Sequence, residues 1–98
     1  VTLYAEEAFF SPTAFSPNGD GKNDYFIPLI KYYKPEGFLF QVYNRWGMLV
    51  FESPRADLPW DGYFKDGPAP VGVYTWLIEA IDLDNKRVTK QGSVLLIR

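Results

Sequence analysis

The chain has neither cysteine nor histidine. Without cysteine there is no disulfide framework, no thiolate zinc site and no thiol nucleophile, so the fold must be held by packing alone. The missing histidine removes the usual general base near neutral pH and the commonest transition-metal ligand, which excludes hydrolase chemistry routed from Ser or Cys through a His partner. No apolar run approaches the ~18 residues that a membrane-spanning helix needs. No basic cluster accompanies the formal charge of −2, so a nucleic-acid surface is excluded as well. Long helices also lack room: Gly and Pro, eight of each, punctuate most of the chain and leave space for an amphipathic helix only between Val73 and Gln91. The sequence opens at Val1, with no initiating Met and no charged-then-apolar leader; it is expected to be a processed or excised part of a longer protein.

What remains is strongly aromatic. Hydrophobic residues make up 47% and aromatics 18% of the 98 residues, which excludes disorder and predicts a core of large rings. This length supports one domain over residues 1–98, with 1–14 read as an N-terminal strand or linker. Alternation places Phe38, Phe40 and Val42 on one face and Leu39, Gln41 and Tyr43 on the other. Met48 to Phe51 resumes after Asn44–Gly47, a four-residue connection ending in a residue tolerant of positive φ, so a hairpin is predicted. Gly72 to Ile81 fits either a helical stripe or a strand, and its Val, Tyr, Thr, Trp and Ile content decides for strand. Asp82 to Lys86 is then a turn leading to the apolar run Val94–Ile97. Asp24 to Tyr32 reads as a strand interrupted at Pro28, an edge or a bulge. Six or seven short strands predict an all-β fold, a small immunoglobulin-like antiparallel β-sandwich of about seven strands.

Three dense stretches stand out against this background. The first runs from Phe15 to Phe26 and holds Pro17, Asn18, Gly19, Asp20, Gly21, Asn23 and Asp24. Its oxygen donors, spaced by glycines, resemble the start of a calcium loop with Asn18, Asp20 and Asp24 as ligands. Lys22 occupies an alternate position where Asp or Asn normally sits, and Leu29 stands where a bidentate Glu belongs; the other reading is a loop of Asx-turns that satisfies its own backbone. The second stretch contains Asn44, Arg45, Trp46 and Gly47 at the predicted hairpin tip. There a guanidinium stacked on an indole either locks the loop or forms a recognition surface. In the third, Trp60, Asp61 and Gly62 form an Asx-turn with the indole plugging the sandwich, and the stiff Pro68–Val71 approach delivers Gly72 and Tyr74 into the next strand. Asp57, Asp61 and Asp66 are close in sequence without any sign of an acid and base with separated pKa values, so no catalytic residue is assigned and no enzyme is expected.

Taken in order, Phe15–Asp24, Val42–Phe51, Trp60–Gly62 and Pro68–Tyr74 resemble the gliding-motility-associated C-terminal domain, the type B sorting domain of the Bacteroidetes type IX secretion system. The resemblance extends from Phe15 to Arg98, and the long Pro17-to-Asp24 stretch separates it from type A sorting domains and flagellar hook-capping domains. It implies a folded address on a covalently linked N-terminal cargo, read by the type IX machinery at the outer membrane. The protein would pass through the periplasm to the cell surface or medium. It implies binding rather than catalysis, with no cofactor beyond the structural calcium weighed above. The alternative is an immunoglobulin-like spacer or calcium-stabilised adhesive module of a surface protein.

Overall fold

A computed structural model describes residues 9–19, 24–65 and 67–98. Among them the strands are β1 (Phe9–Phe10), β2 (Ala14–Phe15), β3 (Leu29–Ile30), β4 (Leu39–Tyr43), β5 (Leu49–Ser53), β6 (Tyr63–Phe64), β7 (Gly67–Pro68), β8 (Gly72–Ile81) and β9 (Arg87–Leu96). Five of them form the main sheet in the order β2-β9-β8-β4-β5, while β1–β3 and β6–β7 are separate two-stranded ribbons. The fold is all-β and sandwich-like. Pairing is antiparallel except for β2, which lies parallel to β9 through Ala14↔Leu95 and Phe15↔Leu96.

The main sheet follows the alternation of the sequence. Phe40 and Val42 of β4, Tyr74, Trp76, Ile78 and Ala80 of β8, and Val94 and Leu96 of β9 point inward and are buried, as a period of two requires when one face meets a core. Their neighbours along each strand face out. The β8 side chains that would also have made a helical stripe are split between the two faces, because β-branched and aromatic residues fit a pleated surface better.

A second layer of short segments covers the inner face. Phe26 and Trp60 pair across it, amide to carbonyl, at 2.8 and 2.9 Å. The Phe26 ring lies 5.9 Å from Phe40 and 6.5 Å from Trp76, and Trp60 lies 5.4 Å from Phe15 and 5.0 Å from Tyr74. Each such fully buried ring contributes about 1.5–3 kcal/mol through burial alone, and tilted ring pairs add roughly 0.5–1.5 kcal/mol. Between Asp24 and Tyr32 the predicted strand shrinks to the Phe26 bridge and the two residues of β3. Pro28, buried between them, has no N–H to continue a ladder, so the segment packs by its side chains instead.

One close approach fixes the pairing of β8 and β9. Gly92 lies opposite Trp76, and a Cβ there would stand 2.9 Å from the indole Cζ2. Trp76 is itself buried and has no room to retreat. Gly92→Ala is therefore expected to destabilise the fold by about 1–3 kcal/mol, read as a lower urea midpoint. An unchanged midpoint would show that the indole gives way freely.

Candidate functional site

The register places the three dense stretches at one end of the main sheet. Tyr43, the last residue of β4, pairs with Thr75 near the start of β8; Gly72 pairs with Leu96 at the end of β9; and Phe15 lies beside that same Leu96. The β4–β5 turn, the approach to β8, the exit from β9 and the loop after β2 thus share one pole. The opposite pole carries the β8–β9 turn and the segments around Tyr33 and Pro54, with Tyr33 bridged to Asp82.

At the first pole the first and third stretches touch. Gly62 is buried at φ 81°, and a Cβ on it would come 2.8 Å from Pro17 Cγ, so the first stretch sits directly on the third and only glycine fits both the angle and the space. Arg98 binds across the same junction. Its Nη2 donates to the carbonyls of Gly62 at 2.9 Å and Ala69 at 3.0 Å, and its Nη1 reaches the carbonyl of Pro17 at 3.5 Å. Pro17, Gly19, Asp24, Tyr25, Asp61 and Tyr63 line an open depression beside this clamp.

Each stretch is also held internally. Asp24 Oδ1 accepts from the amides of Asn18 at 3.2 Å and Gly19 at 3.0 Å, closing the loop on itself. Asp20, Gly21 and Asn23, the rest of the first stretch, lie outside the described residues, and the calcium reading depends on Asp20. Among the described residues no three His, Cys, Asp or Glu side chains gather closely enough to hold a metal ion. Asp61 Oδ1 accepts from Tyr63 N at 3.0 Å, and Trp60 Nε1 donates to the Tyr63 carbonyl at 3.0 Å. The Tyr74 hydroxyl donates to Pro70 O at 2.6 Å. Burial pushes the Tyr74 pKa above the ordinary tyrosine value, while the nearby charges of Arg98 and Arg45 pull against that rise. Asp57 is paired with Arg55 at 2.9 Å among the residues of the opposite pole. Hydrogen bonding from that guanidinium holds its pKa below the usual carboxylate value. Asp57 and Asp61 are thus on different ends, and Asp66 lies outside the described residues.

The second stretch separates into two kinds of residue. Asn44 Oδ1 accepts from the amides of Trp46 at 2.9 Å and Met48 at 3.0 Å, the Asn44 amide donates to the Met48 carbonyl at 2.9 Å, and Gly47 sits at φ 82°. The β8–β9 turn repeats this pattern: Asp82 Oδ1 accepts from Asp84 and Lys86 at 2.9 Å each, the Asp82 amide donates to the Lys86 carbonyl at 2.9 Å, and Asn85 sits at φ 64°. Both turns require a short oxygen-bearing side chain first and a residue tolerant of positive φ fourth. The middle positions are Arg45 and Trp46 in one turn and Leu83 and Asp84 in the other, so this backbone makes no demand on them. Trp46 is nevertheless a tryptophan, 74% exposed, with the Arg45 guanidinium carbon 4.5 Å from the ring centre.

A family model described as the CHU_C type IX secretion signal domain matches residues 9–96. The chain belongs to that family. No curated protein matches it. The signal domain is a sorting signal for type IX secretion, and a sorting signal acts by being recognised. No helix among its described residues is long and apolar enough to cross a membrane. Of the residues gathered at this pole, sequence reasoning missed Arg98: its partners are three backbone carbonyls from separate loops, and carbonyls leave no mark in residue identity. Lys65, which stands 5.2 Å over the Phe64 ring, was also missed, being a lone cation in a turn.

Proposed function

We propose that the signal domain carries a covalently linked N-terminal cargo through the periplasm to the cell surface or medium, and that the secretion machinery reads the pole where the three stretches meet. The domain does this by binding, with no catalytic step of its own. The observation that carries the reading is the Arg45–Trp46 pair. It is a large exposed aromatic under a guanidinium, on a turn whose backbone is built equally well with Leu83 and Asp84. Trp and Arg are the side chains most often found to dominate interface energetics, and an indole that is 74% exposed leaves most of its surface open to a partner. Pro17, Asn18, Gly19 and Asp24 on one side and Asn44 and Gly47 on the other frame this surface, while Trp60, Asp61, Gly62, Gly72 and Tyr74 hold the frame.

The test is transfer of function. A reporter with an export leader and this domain at its C-terminus, expressed in a bacterium with a working type IX system, is expected outside the cell. Folded reporter retained in the periplasm would overturn the proposal.

A further inference from the structure

Beside the Asn44–Met48 turn lies a groove of about 80 Å³. Val50, Ala69, Val71 and Tyr74 form its apolar surface, with the rings of Trp46 and Phe64 also lining it. Each ring carries a cation: Arg45 on Trp46 at 4.5 Å, Lys65 on Phe64 at 5.2 Å. The ion pairs among the described residues, Arg55–Asp57 and Arg87–Glu79, involve neither of them. Nearby Arg98 spends its donors on carbonyls, which leave its charge unneutralised. The Tyr74 hydroxyl, on the groove's surface, feels both Arg45 and Arg98 as opposition to the upward pull of burial. An apolar depression flanked by Arg45 and Lys65, with Arg98 nearby, is thus built on a chain whose net charge is −2.

We infer that this groove takes an extended acidic peptide segment of the secretion machinery, with an aliphatic side chain inserted against Val50 and Tyr74 and flanking carboxylates on Arg45 and Lys65. The inference rests on the sorting function proposed above and names the chemistry of the partner. A recessed apolar surface suits an inserted side chain, whereas a lipid surface would be met by a convex basic patch on a chain of positive charge. Cations held over rings are pre-placed, so a carboxylate gains them without first breaking an ion pair to any described residue.

The probe is a fluorescein-labelled octapeptide alternating Glu with Leu, compared with its Gln-for-Glu counterpart and with vesicles rich in phosphatidylglycerol. Anisotropy titrations of the 98-residue chain are expected to give at least about tenfold tighter binding for the acidic peptide at low salt, an advantage that shrinks as NaCl is added. The double variant Arg45→Ala, Lys65→Ala should lose that advantage at an unchanged melting temperature. Equal binding of the two peptides, binding of vesicles alone, or an undiminished preference in the double variant would each overturn the inference. Two further outcomes keep the proposals apart. Normal reporter export by a double variant that no longer binds the peptide removes the groove and leaves the sorting function standing. Peptide binding by a native chain that exports no reporter removes the sorting function instead.

Discussion

A chain cut after Ser93 is expected to show no cooperative melting transition and to export no reporter. Val94 and Leu96 are buried completely or nearly so, each contributing about 1.5–3 kcal/mol by burial. Residues 94–98 also supply every described pairing partner of β2: Leu95 and Leu96 in the ladder, the Leu95 amide on Thr13 O and the Ile97 amide on Phe15 O, both at 2.9 Å. Losing them frees Phe15, whose ring supports Trp60 and Phe26, and removes the Arg98 bonds between the first and third stretches. Total stabilities of single domains are only about 5–15 kcal/mol, so these losses together exhaust the margin. The check is far-UV and near-UV circular dichroism against temperature. A truncated chain that melts cooperatively near the native midpoint would contradict the account of how the terminal strand is built in.

Trp60→Ala is expected to lower stability by about 3–5 kcal/mol, the largest loss from any single substitution considered. The indole is fully buried, touches Phe15 and Tyr74 edge to face or tilted, and anchors Tyr63 through Nε1. Its backbone also pairs with Phe26, which joins the two segments of the covering layer. Trp60→Phe separates these contributions. It refills most of the cavity but leaves the Tyr63 carbonyl without its donor, and should cost roughly 1–3 kcal/mol. Guanidinium denaturation distinguishes them: Ala well below Phe, and Phe below native. Equal midpoints for all three chains would mean that Trp60 lies at the surface.

The elements legible in the sequence are those whose signal is local. The alternation in Phe38–Tyr43 and the composition of Gly72–Ile81 survive as β4 and β8 because a half-buried strand needs only a period of two and side chains that suit a pleat. The Asn44–Gly47 turn was legible through its glycine. What remained hidden depends on distant partners. The Asp24–Tyr32 segment carries strand-like composition, yet Pro28 is buried and, among the described residues, no long strand runs beside it. The parallel pairing of β2 with β9 joins residues about eighty positions apart, and nothing in Ala14–Phe15 announces it. At the site, sequence showed three stretches but not that they share a pole: the first and third are joined by Pro17 on Gly62 and by Arg98 on backbone carbonyls, and the second lines a groove with the approach to β8. Trp60 was legible as a plug, but whether Trp46 locks its loop or faces a partner was not; the fold buries Trp60 and Trp76 and leaves Trp46 exposed.

The central claim is that the pole carrying Arg45 and Trp46 is what the machinery reads, and the matched pair of turns allows it to be tested without disturbing the fold. Arg45→Ala with Trp46→Ala changes the two middle positions of one turn; Leu83→Ala with Asp84→Ala changes those of the other. Exposed middle positions of this turn leave stability within about 0.5 kcal/mol, so both chains are expected to melt with the native one. Secretion of the fused reporter into the medium is then measured side by side. The account predicts that the Arg45, Trp46 variant stays in the periplasm, folded, while the Leu83, Asp84 variant is secreted as well as the native domain. Equal secretion of the two variants would contradict it.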